Sequence, residues 1–237
     1  KWDRMGLNRL LCRNDMLEAR ETDNGAEVTI SGVYGQKTTP PLFRVTQKYS
    51  ITGDGAIQLD IAYLPLKEIA EYLPRLGVRM GIDGSFDRLI WQGRGPMESY
   101  PDKKTGALIG RFEMTVDETH EPYVRPQENG SHEDTEFAVL LNSQGLGLMV
   151  KGERFSFSAH HYTPEMLTSA QHTYELGRDE KITLLLDGRM GPLGSNSCGP
   201  EPEESLRLYL KEETAFRFSF LPFDAQGLSV DGANRAL

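Results

Sequence analysis

The run Phe43-Arg44-Val45-Thr46-Gln47-Lys48-Tyr49-Ser50-Ile51, then Thr52-Gly53-Asp54-Gly55, then Ile57-Gln58-Leu59-Asp60-Ile61-Ala62-Tyr63, decides the fold class. Phe43, Val45, Tyr49 and Ile51 fall on one face, with Arg44, Thr46, Lys48 and Ser50 on the other. That period of two is the mark of a half-buried strand. The glycines of the central segment supply the positive φ angles that a tight reversal needs. Ile57, Leu59, Ile61 and Tyr63 then alternate against Gln58, Asp60 and Ala62, so the two runs read as a β-hairpin.

The same period recurs along the chain. Leu76, Val78, Met80 and Ile82 alternate, as do Phe112, Met114 and Val116. Phe137, Val139 and Leu141 lead through Asn142-Ser143-Gln144-Gly145 into Leu146, Leu148 and Val150. Phe155-Phe157, Ile182-Leu184-Leu186, Leu206-Leu208-Leu210 and Phe216-Phe218-Phe220 follow. One short helix signal stands out: Thr163 as N-cap, Pro164 at the first helical position and Glu165 on the favourable side of the dipole. Met166, Leu167 and Ala170 would face the core. About a dozen strands with a single short helix predict an all-β chain, a large antiparallel β-sandwich. No Pro- or Ser-rich linker divides it, so one domain over 1–237 is expected, with 224–237 as a Gly-rich, polar, loosely held tail.

Composition narrows the function. The 237 residues are 38% hydrophobic and 26% charged, enough for a core. Net charge is −9 and the pI near 5.1. Binding to nucleic acid needs a basic footprint, and no Lys/Arg cluster supplies one. An anionic membrane surface is disfavoured for the same reason, and no apolar run approaches the ~18 residues of a membrane span. A neutral ligand or a protein partner is the remaining class. Cys12 and Cys198 are too few for a disulfide scaffold and form no CxxC metal pair, so two free thiols are expected.

Five segments carry a resemblance. They are Gly93-Arg94-Gly95-Pro96-Met97-Glu98-Ser99-Tyr100-Pro101-Asp102-Lys103; Pro122-Tyr123-Val124-Arg125-Pro126-Gln127-Glu128-Asn129-Gly130; and Phe155-Ser156-Phe157-Ser158-Ala159 with Tyr162, Thr163 and His172. Leu186-Asp187-Gly188-Arg189-Met190-Gly191 runs into Gly194-Ser195-Asn196-Ser197-Cys198-Gly199-Pro200, and the opening has Trp2, Gly6, Leu7, Asn8, Arg9 and Leu10. In this order they resemble the C-terminal domain of bacterial β-galactosidases of glycoside hydrolase family 2. The resemblance implies a supersandwich related to the galactose mutarotase fold. It also implies that the two catalytic glutamates and the Mg²⁺ ligands belong to a separate, upstream TIM-barrel domain. No cofactor is then expected in this chain, and no segment here reads as the βα alternation a barrel requires. The partners implied are a β-galactoside, that barrel and further copies in a homo-oligomer. A start at Lys1 that already reads as structured sequence suggests a piece of a longer polypeptide, with the sandwich's first strands upstream of Trp2.

Retaining glycosidases need two carboxylates roughly 5 Å apart. The sequence pairs on offer are Glu98 with Asp102, and Glu128 with Glu133 or Asp134. Loop carboxylates more often accept backbone N–H bonds and pair with nearby cations, here Arg94 or Lys103. Gly93-Arg94-Gly95 is no dinucleotide fingerprint, because Pro96 follows at once and Glu98 would repel pyrophosphate. His160 or His172 with Glu175 would suit a mutarotase-like acid and base, but hydrogen-bonded structural histidines fit the spacing better. Among Trp91, Tyr100, Tyr123 and Tyr162, core filling is expected for most, leaving one ring for a sugar. The resemblance carries the Gly194–Pro200 loop to the mouth of the barrel. Ser197, Cys198 and Gly199 are therefore the pocket-lining candidates, with Glu98, Tyr100 and Asp102 as further substrate contacts. Some relatives have a Trp where this chain has Cys198. The function that follows is an accessory domain lining a β-galactosidase pocket; an autonomous carbohydrate-binding module and a mutarotase-like isomerase are the alternatives.

Overall fold

The computed structural model describes residues 1–192 and 201–237. A one-turn helix, α1 (Trp2–Met5), precedes the hairpin β1 (Leu11–Thr22) and β2 (Gly25–Gly35). Then come β3 (Phe43–Thr52), β4 (Ile57–Pro65), β5 (Arg75–Asp83), β6 (Arg88–Gly95), β7 (Leu108–Thr115), β8 (His132–Leu141) and β9 (Leu146–His160). Helix α2 (Pro164–Ser169), β10 (Lys181–Met190), β11 (Thr214–Asp224) and helix α3 (Val230–Ala236) complete the chain. The described strands join in one antiparallel, 11-stranded sheet of order β1-β2-β3-β4-β11-β9-β8-β6-β7, from which β10 and β5 branch at β9.

The branch explains how a single sheet closes over a core. Residues Leu146–Gly152 of β9 pair with β11, whereas Ser156–His160 pair with β10. Between these halves Arg154 takes φ 46°, and in β8 Asp134 takes φ 53°, one on each side of the Thr135–Phe155 pair, where the register slips. Paired bulges of this kind bend a ribbon, and here they carry β8 and β9 from one layer into the other. The main core packs Phe43, Leu59, Ile61, Phe218 and Phe220 with Trp91, Phe155, Phe157, Leu184 and Leu186. The opening hairpin has its expected register, with Val45 opposite Tyr63 and Tyr49 opposite Leu59, and Gly55 at φ 88° turns it. Thr163 caps α2 by accepting from the Met166 N–H, and Leu167 and Ala170 are buried.

Three readings need correction. Leu206-Leu208-Leu210 is not a strand: residues 204–206 form a 3₁₀ turn, and Leu208 makes only an isolated bridge to Leu73. Pro74 follows Leu73 and has no N–H to extend a ladder, so beyond the one bond from the Leu73 N–H to the Leu208 carbonyl, Leu208 and Leu210 are held by burial. The expected loose tail is instead α3, capped by Ser229, with Ala233 fully buried. It closes a second core made of Ile90, Phe137, Val139, Leu141, Met149, Leu221 and Phe223. Lys151 donates to the Asn234 carbonyl at 2.9 Å and Arg111 pairs with Asp231 at 2.7 Å, pinning the helix. Strands β1 and β2 escaped the reading because β1 is solvated on both faces and carries Arg13, Asp15, Glu18, Arg20 and Glu21 in place of alternation.

Candidate functional site

The motif segments at 93–103, 122–130, 155–159 and 186–191 converge on the polar side of the β8–β9–β10–β5 layer. On β9, Ser156, Ser158 and His160 point away from the main core, and opposite them on β10 stand Asp187, Leu185 and Thr183. The loops after β6 and before β8 roof this face. Arg94, at the end of β6, donates through Nε to Asp134 at 2.6 Å and through Nη1 to the Lys104 and Ala107 carbonyls. Lys104 bridges Asp134 at 3.0 Å and Glu133 at 3.2 Å. The strained Asp134 is thus held by two cations.

Glu98 is buried and fully engaged. Its Oε1 accepts from Lys103 Nζ at 2.6 Å and from the Tyr123 hydroxyl, and its Oε2 accepts from the Gly130 N–H at 2.9 Å. Burial works against its charge, but Lys103, Tyr123 and Gly130 outweigh it and hold the carboxyl below its usual range. Two motifs are tied together by this one side chain. Ser99 reinforces the tie: its N–H donates to the Ser131 carbonyl, and its hydroxyl accepts from the Glu133 N–H at 2.8 Å. Of the other two first-motif candidates, Tyr100 is buried, with its hydroxyl pushed well above its normal pKa by burial and by Glu128 and Glu98. Asp102 is half-buried at the turn that joins Tyr100 to Lys103. Arg94, which the sequence offered as a partner for Glu98, binds Asp134 instead.

A second node was not anticipated. Arg75, the first residue of β5, donates to Asp187 through Nε at 3.0 Å and Nη2 at 2.6 Å, and to Glu128 through Nη1 at 3.2 Å. Burial disfavours the guanidinium, yet Asp187 and Glu128 raise its pKa above normal. One cation faces two carboxylates, so Glu128 is shifted up by burial and by Asp187, with Arg75 opposing. The Asn-Gly motif and the Leu-Asp-Gly motif therefore meet at a residue outside both. Its signal in the sequence was a lone Arg after Pro74, opening an apolar strand.

The histidines are structural in their contacts. His160 and the Asn129 carbonyl are 2.8 Å apart, and His132 Nδ1 lies 3.1 Å from the Arg94 carbonyl with its ring against Trp91. Burial lowers both to about 4. His172 pairs with Glu175 on the surface at 3.0 Å, away from the buried His160. Trp91 and Tyr100 are buried and Tyr123 and Tyr162 half-buried; the exposed ring is Tyr174, at 81%, stacked on His172. Cys12 is a free, exposed thiol. Ser197, Cys198 and Gly199 lie outside the described residues. Among those described, no three His, Cys, Asp or Glu gather to hold a metal ion, and no helix is long and apolar enough to cross a membrane.

The whole framework, from Trp2 to Phe220, falls within the span matched by the family model described as β-galactosidase small chain, residues 1–221. The chain belongs to this family. The small-chain domain is 31% identical over 220 residues to a β-galactosidase of Actinobacillus pleuropneumoniae, covering 93% of this chain and 21% of that protein. It is 33% identical to one from Vibrio cholerae, covering 83% of this chain and 19% of that one. A β-galactosidase of Streptococcus thermophilus is 36% identical, over 62% of this chain and 14% of its own length. The small-chain domain thus spans about a fifth or less of these relatives. Among solved structures it is similar to a GalM/aldose epimerase homologue from C. elegans, with a TM-score of 0.45 and 9% identity, over 88% of this chain and 68% of that one.

Proposed function

We propose that the small-chain domain is the accessory part of a β-galactosidase and lines the galactoside pocket of a catalytic domain carried elsewhere in the polypeptide. The observation that carries this reading is the use to which the motif side chains are put. Glu98, Glu128, Asp187 and Asp134 are each held by a cation, and His132 and His160 are neutral and bonded to carbonyls. A general acid needs a free proton-transfer path to substrate. These groups instead fix loops against a sheet, which suits a rigid wall. The described residues on either side of 193–200 are held: Gly191 donates to the Pro74 carbonyl at 2.8 Å, and Glu201 binds Lys1 at 2.5 Å and Arg207 at 3.3 Å.

In this reading the reacting carboxylates and Mg²⁺ stay with the catalytic part, and Cys198 leaves the glucose side of the pocket without an aromatic ring. The test is reconstitution. The catalytic remainder of a β-galactosidase, this chain, and the two together are assayed on lactose. Hydrolysis is expected only with both; hydrolysis by this chain alone, or undiminished hydrolysis without it, overturns the proposal. Cys198→Trp in the intact enzyme should lower the lactose KM. Calorimetry with galactose should show no tight binding by the chain alone, and mutarotation of α-galactose should not be accelerated.

A further inference from the structure

Ion pairs account for Glu98, Glu128, Asp134 and Asp187, but not for four buried neutral groups on the same face. The Tyr100 hydroxyl, the Ser131 and Ser158 hydroxyls and His160 Nδ1 have no hydrogen-bond partner among the described residues. Each of the four residues is 4% exposed or less. A buried polar atom without a partner is expensive, and native structures leave few of them. Four together, in or directly beside the motif segments, need a common account.

The register brings them to one place. His132 pairs with Phe157, and the Asn129 carbonyl lies 2.8 Å from His160 Nε2. Between these two links Ser131 stands across from Ser158. His132 and Phe157 turn their rings toward Trp91 and the main core. Ser131 and Ser158, one residue along on each strand, therefore turn the other way, under the roofing loops. His160 shares the face of Ser158, and its ring packs against Gly130, where a Cβ would come within 2.5 Å of Cε1. Tyr100 is carried in by the bond from the Ser99 N–H to the Ser131 carbonyl, at 2.7 Å. Its hydroxyl feels the Ser131 N–H without meeting it in hydrogen-bond geometry.

None of the four bonds to another, and what each needs is what water supplies. His160 donates from Nε2 to the Asn129 carbonyl, which leaves Nδ1 of the neutral ring as an acceptor. Each hydroxyl can donate one hydrogen bond and accept others. A buried water makes about three hydrogen bonds, so one or two molecules satisfy the set. A larger polar ligand has no way in, because Glu98 and Ser99 pin the roof over these groups. We infer that the roofed face where β8 begins and β9 ends is a water-binding site, in which one or two ordered molecules join Tyr100, Ser131, Ser158 and His160 into one network. The network fastens the segments at 93–103 and 122–130 to the sheet where the ion pairs do not reach. His120 Nδ1, on a ring edge-on to His160 at 5.8 Å, is a further unpartnered atom at its margin. His132 Nε2 lies on the core side and is not part of it.

A high-resolution crystal structure of the 237-residue chain should show water within hydrogen-bond distance of at least three of the four atoms. The double variant Ser131→Ala with Ser158→Ala strips the water of two partners. It should lower the melting temperature by several degrees, and the long-lived water counted by ¹⁷O relaxation dispersion should fall by at least one molecule. Hydroxyls that were simply unsatisfied would behave in the opposite way, since removing them relieves a cost. A melting temperature that is unchanged or raised therefore overturns the inference. So does a crystal structure in which the four groups bond directly to one another or have no water beside them, and that result decides the matter by itself if the double variant does not fold. The accessory-domain reading does not depend on either outcome.

Discussion

Acidification from about pH 7 to about pH 5 should destabilise this domain through His132 and His160. Both rings are buried with pKa values of about 4, against about 6.5 in an unfolded chain. A folded value below the unfolded one means that the unfolded state takes up protons first as the pH falls. The stability is complete above about pH 6.5 and is lost progressively down to about pH 4. At about pH 5 each ring contributes a loss of about 2 kcal/mol, about 4 kcal/mol for the pair. That is a large share of the ~5–15 kcal/mol typical of a domain. Burial also lowers His120, which adds in the same direction. The groups that oppose are Glu128 and Glu133, raised by burial. Their protonation in the folded state returns stability on acidification.

Urea unfolding followed through the buried Trp91 measures the effect at both pH values. The double variant His132→Gln with His160→Gln should flatten the dependence, since Gln offers an N–H to the same carbonyls without a titrating ring. Two results refute the reasoning: a wild-type loss under about 1 kcal/mol, or an unchanged slope in the double variant.

Arg75→Met leaves Asp187 and Glu128 without their cation and should cost about 3–5 kcal/mol in thermal or urea unfolding. The deficit should shrink on acidification, because the orphaned carboxyls can then be neutral. Glu98→Gln removes the charge that three donors share and should cost about 2–3 kcal/mol, with faster amide exchange at Gly130. Ala233→Asp places a charge in the closed second core and should cost at least about 3 kcal/mol, read as a lowered urea midpoint; an unchanged midpoint would return 224–237 to the loose tail expected from composition.

Much of the fold was legible because a half-buried strand writes its own pattern. Phe43 to Tyr63 alternates since one face meets the core, and the same holds for Leu76 to Ile82 and Phe216 to Phe220. The motif loops were legible as loops from their Gly and Pro residues, and Glu98 as a carboxylate with a nearby cation partner. Pattern failed where burial did not alternate. Strand β1 is solvated on both faces, so it carries no period. Residues Phe137–Leu141 are buried on both faces, and α3, which makes that so, looked like a polar tail because Ala233 is its one fully buried residue, with Val230 only partly buried against the core.

The residue sequence by itself determined the all-β class, the main hairpin, the capped helix α2 and the family, since each depends on local periodicity or on motifs in order. Tertiary structure alone decided which cation serves which carboxylate. Arg75 is separated from Asp187 by 112 positions, and only the branching of β10 and β5 from the bent β9 brings them within hydrogen-bond reach. It also decided that β5 pairs with β10 and with no other described strand, beside a mainly apolar cleft. No local pattern encodes that, because an edge strand and a central strand of the same alternation differ only in what lies beside them.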